Sequence, residues 1–160
     1  MSCAGCCGPS RARGGFTAVE LVIVMIIAGI ILSVAIPAFG RMAAQRGAAN
    51  ARDSIVLLSA RARALAMERG SIVHLEVDPV SQRSWVRIGS DTVQVVTYSQ
   101  EFHAQLSTPD GQLVGVCYAS RGLALPSCSS AALPVTVDFR RGGFTYSARI
   151  QRLGRVERAI

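Results

Sequence analysis

Lysine is absent from this chain, so all 17 of its basic side chains are arginine and the formal charge of +7 is a guanidinium charge. A GC-rich coding bias accounts for that as well as selection for guanidinium chemistry does, so clustered arginines carry less information here than in a chain that also uses lysine. Histidine is scarce. His74 lies in an alternating segment and His103 in a polar one, and no serine or cysteine motif is placed to use either as a base; the common nucleophile–base constellations are thereby excluded. No glycine loop of the phosphate-cradling kind and no metal-ligand cluster occurs after residue 15, and there is no internal repeat or low-complexity tail. No enzymatic activity, cofactor or metal is expected. Charge itself is missing over one long stretch: between Arg13 and Arg41 the only charged side chain is Glu20.

What fills that stretch is apolar. Leu21 to Phe39 gives 19 residues, close to the ~20 that span a bilayer's hydrocarbon as a helix. A carboxylate near such a segment costs roughly 2.5 to 3.5 kcal/mol on insertion scales and marks a functional site by default. Glu20 therefore needs a partner. An ordinary secretory signal ends in small residues after its apolar core, whereas here Gly14 and Gly15 precede the run. Cleavage at that point leaves the apolar segment on the mature chain and creates a free amine at Phe16, a partner for Glu20 in the same chain or in a neighbour. Loss of Arg11 and Arg13 with the leader lowers the formal charge to +5. The basic residues flanking the span, Arg11 and Arg13 before it and Arg41, Arg46 and Arg52 after it, do not by count favour a cytoplasmic N-terminus. At 160 residues the chain has room for one anchor and one modest domain.

Gly15-Phe16-Thr17-Ala18-Val19-Glu20-Leu21, followed by an Ile/Val/Leu-rich run that contains Pro37, resembles the class III signal of type IV pilins and type II secretion pseudopilins. The competing reading is an uncleaved signal anchor that tolerates its glutamate. The resemblance implies that a prepilin peptidase cuts after Gly15 and methylates the amine of Phe16. It further implies that Glu20 pairs with the amine of an adjacent subunit during filament assembly. It places the leader in the cytoplasm, a single span in the bacterial inner membrane in contact with its lipid, and the remaining domain in the periplasm.

The leader also holds Cys3, Cys6 and Cys7. Three thiols without a nearby histidine make a poor metal site, and a mis-assigned start or an unconstrained leader explains them. Cys117 and Cys128 flank a turn-rich stretch with Gly122 and Pro126. An oxidising compartment favours a disulfide between them, the alternative being two buried thiols, and closure of so short a loop contributes on the order of 2 to 3 kcal/mol.

After the span, Ala44, Ala48, Ala51, Ile55, Leu58, Ala62 and Leu65 recur at spacings of three and four, which predicts an amphipathic helix continuing to about Arg69, with Gly70 as its stop. Pro37 removes one backbone bond and predicts a kink. The stripe is expected to pack on the chain's own domain more than on other subunits. From Ser71 the period becomes two: strands are predicted at Val73 to Val77, Trp85 to Ile88, Thr92 to Tyr98, Leu113 to Tyr118, Val135 to Phe139 and Phe144 to Ile150, the last pair joined at Arg140-Arg141-Gly142-Gly143 as a hairpin. The organisation expected is a leader (1–15), a transmembrane helix (16–39), its amphipathic continuation (40–69) and a small antiparallel β-domain (70–160), an α+β protein of pilin-like type.

Arg61-Ala62-Arg63-Ala64-Leu65-Ala66, the strand pair around Phe139 to Phe144 and the ending Gly154-Arg155-Val156 resemble the GspH/FimT type of minor pseudopilin. That resemblance implies a subunit at the initiation point or tip of a type II secretion pseudopilus, with other pseudopilins or minor pilins as partners. The alternative is a FimT-like minor pilin of type IV pili, some of which bind DNA through a C-terminal Gly-Arg-x-Arg. Here Glu157 stands where the second arginine is expected and Arg158 follows it. Arg140, Arg141, Arg149, Arg152, Arg155 and Arg158 nonetheless concentrate in the last 21 residues. Four of them, Arg149, Arg152, Arg155 and Arg158, are the candidate phosphate contacts.

Overall fold

The computed structural model describes residues 16–130 and 132–159, and the chain divides after Phe39 into two compact units. One helix, α1 (Ala18–Arg69), contributes to both. Its start is set by Thr17, whose hydroxyl accepts the Glu20 amide at 3.2 Å while its carbonyl accepts the amide of Leu21. These are an N-cap's two roles. The first unit is long and apolar enough to cross a membrane, and its most apolar window buries nothing. Helical backbone continues through Pro37; the ring lacks the N–H that would bond the Ser33 carbonyl, so the ladder loses one rung there.

In the second unit α1 buries Gly47, Ala48, Ala51, Ile55, Leu58, Ser59, Ala62 and Ala66. Apart from Ile55 and Leu58 these are small, which lets the helix backbone approach the sheets closely. Ala44 and Leu65, expected on this face, are only half-buried, and Ala66 takes the last place. Steps of three and of four both keep to one side of a helix with 3.6 residues per turn; Ala66 lies at the centre of the buried face and Leu65 at its margin, where it still packs against the core.

Among the described residues nine strands follow: β1 (Val73–Asp78), β2 (Arg83–Ile88), β3 (Asp91–Thr97), β4 (Gln105–Ser107), β5 (Val114–Tyr118), β6 (Ala124–Leu125), β7 (Val135–Arg141), β8 (Phe144–Ile150) and β9 (Val156–Ala159), with a single helical turn, α2 (Tyr98–Glu101), after β3. They form two antiparallel sheets, ordered β3-β2-β1-β5-β6 and β4-β7-β8-β9. The six predicted strands are present. β4, β6 and β9 are additional, and at two to four residues each they are too short to show a period of two.

Alternation fits the buried faces. Val73, Leu75 and Val77 of β1 and Val137 and Phe139 of β7 are fully buried, each contributing roughly 1.5 to 3 kcal/mol on transfer scales. They join Ala51, Ile55, Leu58, Ala62 and Ala66 in one core. Tyr98 of α2 sits where the first sheet's chain passes to the second, its ring 5.0 Å from Phe139 and 6.0 Å from Phe102. The β7–β8 hairpin closes through Gly142 (φ 55°) and Gly143 (φ 85°), with Arg141 paired to Phe144. Two successive positive φ angles define the turn that matches strand twist, and glycine adopts them without strain.

Candidate functional site

Three places hold the residues singled out from the sequence. At the start of α1, Phe16 is 78% exposed and Glu20 is exposed as well. Thr17 and Glu20 stand at the Ncap and N3 positions with the Thr-x-x-Glu spacing of a capping box; of its two bonds the Thr17 one is made, and the acid lies at the positive end of the helix dipole. That local role was not read from the sequence, although the spacing carries it. Among the described residues Glu20 has no ion-pair partner, and Gly15 lies outside them.

Cys117 and Cys128 form a disulfide, with Cα atoms 5.9 Å apart. Cys117 is buried in β5 and Cys128 is exposed. The bridged loop lies along the edge of β5 that β6 does not reach. The Ser130 hydroxyl accepts the Gly115 amide at 2.7 Å, the Ser130 amide donates to the Gly115 carbonyl at 3.0 Å, and the Ser129 hydroxyl accepts the Cys117 amide at 3.3 Å. Otherwise open strand groups are thus satisfied. His74, opposite Cys117 on β1, has Nδ1 3.4 Å from the Cys117 sulfur. His103 is exposed, at φ 52° after α2. Cys3, Cys6 and Cys7 lie outside the described residues, and no cluster of metal-ligating side chains occurs within them.

The C-terminal arginines do not share one surface. Arg149 of β8 is directly opposite Glu157 of β9, on the solvent face of the second sheet. Arg158 pairs instead with buried Ala148 and so points toward α1, where its Nε lies 3.2 Å from Asp53. Asp53 also bonds Arg52 at 3.0 Å, and the Arg52 guanidinium lies 5.1 Å over the ring of Tyr146. Arg152 and Arg155 sit in the turn between β8 and β9 and share a groove of about 410 Å³ with Glu157; Arg155 Nε is 3.9 Å from that carboxylate. The exposed basic ending is therefore an edge strand whose arginines are partly neutralised. Arg141 is structural. Its Nη1 donates to the Phe102 carbonyl at 2.7 Å, and the side chain passes over Gly47 so closely that a Cβ there would overlap it.

Two anchoring residues escaped the sequence reading. Gln82, at φ 58° in the β1–β2 turn, donates from Nε2 to the Leu106 carbonyl at 2.9 Å and accepts the Leu106 amide on Oε1 at 2.6 Å. One side-chain amide thereby acts as a strand partner for β4 and ties the two sheets together. Gly154 (φ 77°) is buried, and an added Cβ would lie 2.5 Å from the Tyr118 ring. Its carbonyl accepts the Tyr118 hydroxyl at 3.2 Å, and that hydroxyl is 2.7 Å from Ser59 on α1. Burial pushes the Tyr118 phenol's pKa up, against the Ser59 bond and the Arg63 charge. Burial likewise raises Tyr98, whose hydroxyl, like that of Ser84, has no hydrogen-bond partner among the described residues.

A helix whose second half is embedded along two antiparallel sheets, with an exposed apolar first half that begins in a capped glutamate turn, defines a pilin-like α+β protein. No family model and no curated relative matches the chain. Solved structures do. The type IV minor pilin FimU of Pseudomonas aeruginosa aligns over 71% of this chain and 88% of its own, with a TM-score of 0.54 and 10% identity. The minor pseudopilin EpsH of the type 2 secretion system of Vibrio cholerae aligns over 70% and 95%, with a TM-score of 0.50 and 14% identity. The likeness lies in the fold.

Proposed function

We propose that this chain is a minor pseudopilin, a structural subunit that initiates or tips the pseudopilus of a type II secretion system. In this reading prepilin peptidase cleaves after Gly15 and methylates Phe16. The subunit then waits in the inner membrane, single-pass, with its domain in the periplasm. The observation that carries the reading is Glu20: an exposed carboxylate, unpaired among the described residues, in the first turn of an apolar helix on a pilin-like domain. A neighbour's Phe16 amine supplies the missing partner. Both charges left unpaired in a low-dielectric stack are costly, so pairing selects the register.

The test separates capping from pairing. The observed cap joins the Thr17 hydroxyl to the Glu20 backbone amide, and glutamine suits the third helical position as glutamate does, so Glu20→Gln keeps the helix start and removes the charge. Both Glu20→Gln and Glu20→Ala should insert and be cleaved normally yet fail to enter filaments, as read by crosslinking to other pseudopilins. Incorporation of Glu20→Gln at the normal level would refute the pairing.

The second reading, a FimT-like minor pilin of type IV pili that binds DNA, draws support from the likeness to FimU, itself a pilus subunit, and from exposed Arg152 and Arg155. Glu157 and Asp53, each beside the arginines concerned, weigh against the DNA contact. A salt-sensitive gel shift that disappears in Arg155→Ala would support it.

A further inference from the structure

Two turns of the second unit carry the same arrangement of residues. Between β5 and β6, Arg121 and Leu123 are exposed on either side of buried Gly122 (φ 73°); between β8 and β9, Arg152, Leu153 and Arg155 are exposed around buried Gly154 (φ 77°). The left-handed glycines turn each backbone inward and leave the flanking side chains outside. The Ala124 amide donates to the Leu153 carbonyl at 3.4 Å, and a Cβ on Gly154 would lie 2.9 Å from that of Ala124, so the two turns sit side by side. The end of α1 completes the surface. Arg63 Nε donates to the Gly122 carbonyl at 2.9 Å, and Met67 lies over Gly122, its sulfur 3.0 Å from where a Cβ would stand.

Met67, Leu123 and Leu153 are 55%, 44% and 66% exposed, three large apolar side chains on three elements that meet here. Apolar groups gathered within a polar rim mark a surface that another molecule covers. The rim is basic. Arg152 and Arg155 line the groove of about 410 Å³ beside Leu153 and Pro134, and Arg121 is exposed on the adjoining turn. Of these three only Arg155 has an ion pair among the described residues, with Glu157 at 3.9 Å, and that carboxylate also accepts Gln151 Nε2 at 2.9 Å. Glu68, the residue after Met67, is the other acid of these segments.

Composition decides what kind of anion fits. A phosphate backbone is met by cations and hydrogen-bond donors, which leaves the exposed leucines and methionine without a role and sets Glu157 against the ligand. A protein surface uses both, since arginine and methionine are enriched where proteins meet. A second copy of this chain in a two-fold contact would set arginine against arginine. We infer that this surface docks an unlike subunit of the same filament, through an apolar side chain of that subunit ringed by carboxylates. The apolar side chain packs on Met67, Leu123 and Leu153, and the carboxylates meet Arg121, Arg152 and Arg155. The inference rests on the reading of this chain as a filament subunit and gives the chemistry of its neighbour.

The test uses the full chain in the cells that make it, with the photoreactive amino acid p-benzoylphenylalanine in place of Leu153 and the crosslinked peptide sequenced by mass spectrometry. The adduct should fall on another filament subunit, in a segment where aspartate or glutamate flanks an apolar residue. Arg121→Glu/Arg152→Glu should lower its yield roughly ten-fold or more, because like charges opposed across an interface repel strongly. Arg83→Glu, at an exposed arginine of β2, should leave it unchanged. Changing the crosslinked acids of the neighbour to arginine should restore the yield with the Arg121→Glu/Arg152→Glu chain, which a misfolded domain could not do.

An adduct on a segment without acids, or a yield that Arg121→Glu/Arg152→Glu does not alter, overturns the docking surface. So does an adduct to a second copy of this chain, which reassigns the surface to self-association, or one to DNA, which reassigns it to nucleic acid. Filament entry is read separately by the Glu20→Gln crosslinks, so entry of the wild-type chain without any Leu153 adduct counts against this surface alone. An adduct to an acidic protein that is no filament subunit keeps the surface and counts against the filament reading.

Discussion

At the scale of single residues, the positions that decide this protein are those where one side chain, or its absence, settles two things at once. Glu20 places a carboxylate at the positive end of the helix dipole and presents a charge unpaired among the described residues. Gly154 supplies both a left-handed backbone and a gap for the Tyr118 ring. Gly154→Ala should therefore destabilise the domain by about 2 to 4 kcal/mol, combining left-handed strain with overpacking. Urea unfolding checks this, and a loss under about 1 kcal/mol would contradict the close packing. The Gly-Arg ending was visible in the sequence as a resemblance to a DNA-contacting motif. That its glycine serves the Ser59–Tyr118 network was not, because Ser59 and Gly154 are brought together only by folding.

At the scale of elements, strands long enough to alternate could be read from the sequence and the short ones could not. β1 repeats buried and half-buried positions along its whole length, whereas β6 has two residues and pairs only at Cys117 and Tyr118. The remaining edge of β5 is completed by Ser129 and Ser130, held by the disulfide. Cys117→Ser/Cys128→Ser should lower stability by roughly 2 to 3 kcal/mol through the entropy of the opened loop. It should also raise amide exchange at Gly115 and Cys117, which donate to those serines. Exchange at both amides as slow as in the wild type would show that the loop holds its place without the bridge.

At the scale of the whole molecule, the absence of lysine has a measurable consequence. With arginine charged throughout the accessible range, the buried phenols of Tyr98 and Tyr118 carry the alkaline response of the disulfide-bonded domain. Tyr98 and Tyr118 both titrate above their ordinary value of 10.0 because they are buried. The folded state thus holds its phenolic protons more tightly than the unfolded state. Their contribution to stability is complete below pH 10 and is lost as pH rises through the raised values. Tyrosinate absorbance followed together with circular dichroism should show these two phenols ionising only as the fold is lost. Ionisation of Tyr98 and Tyr118 in an intact fold would contradict their burial.

The sequence by itself determined the apolar span with its lone glutamate, the amphipathic continuation, the two-glycine hairpin and the six longer strands. Each is a local pattern: a period of 3.6 or of two, a run length, or a backbone angle that only glycine adopts freely. The tertiary structure alone decided how many sheets those strands make and that Gln82 would bridge them. It also separated Arg149 from Arg158, which look like one basic ending in the chain and lie on opposite faces of the second sheet. Antiparallel pairing sends alternate side chains to opposite faces, and which arginine meets Glu157 and which meets Asp53 depends on a register that no local signal specifies.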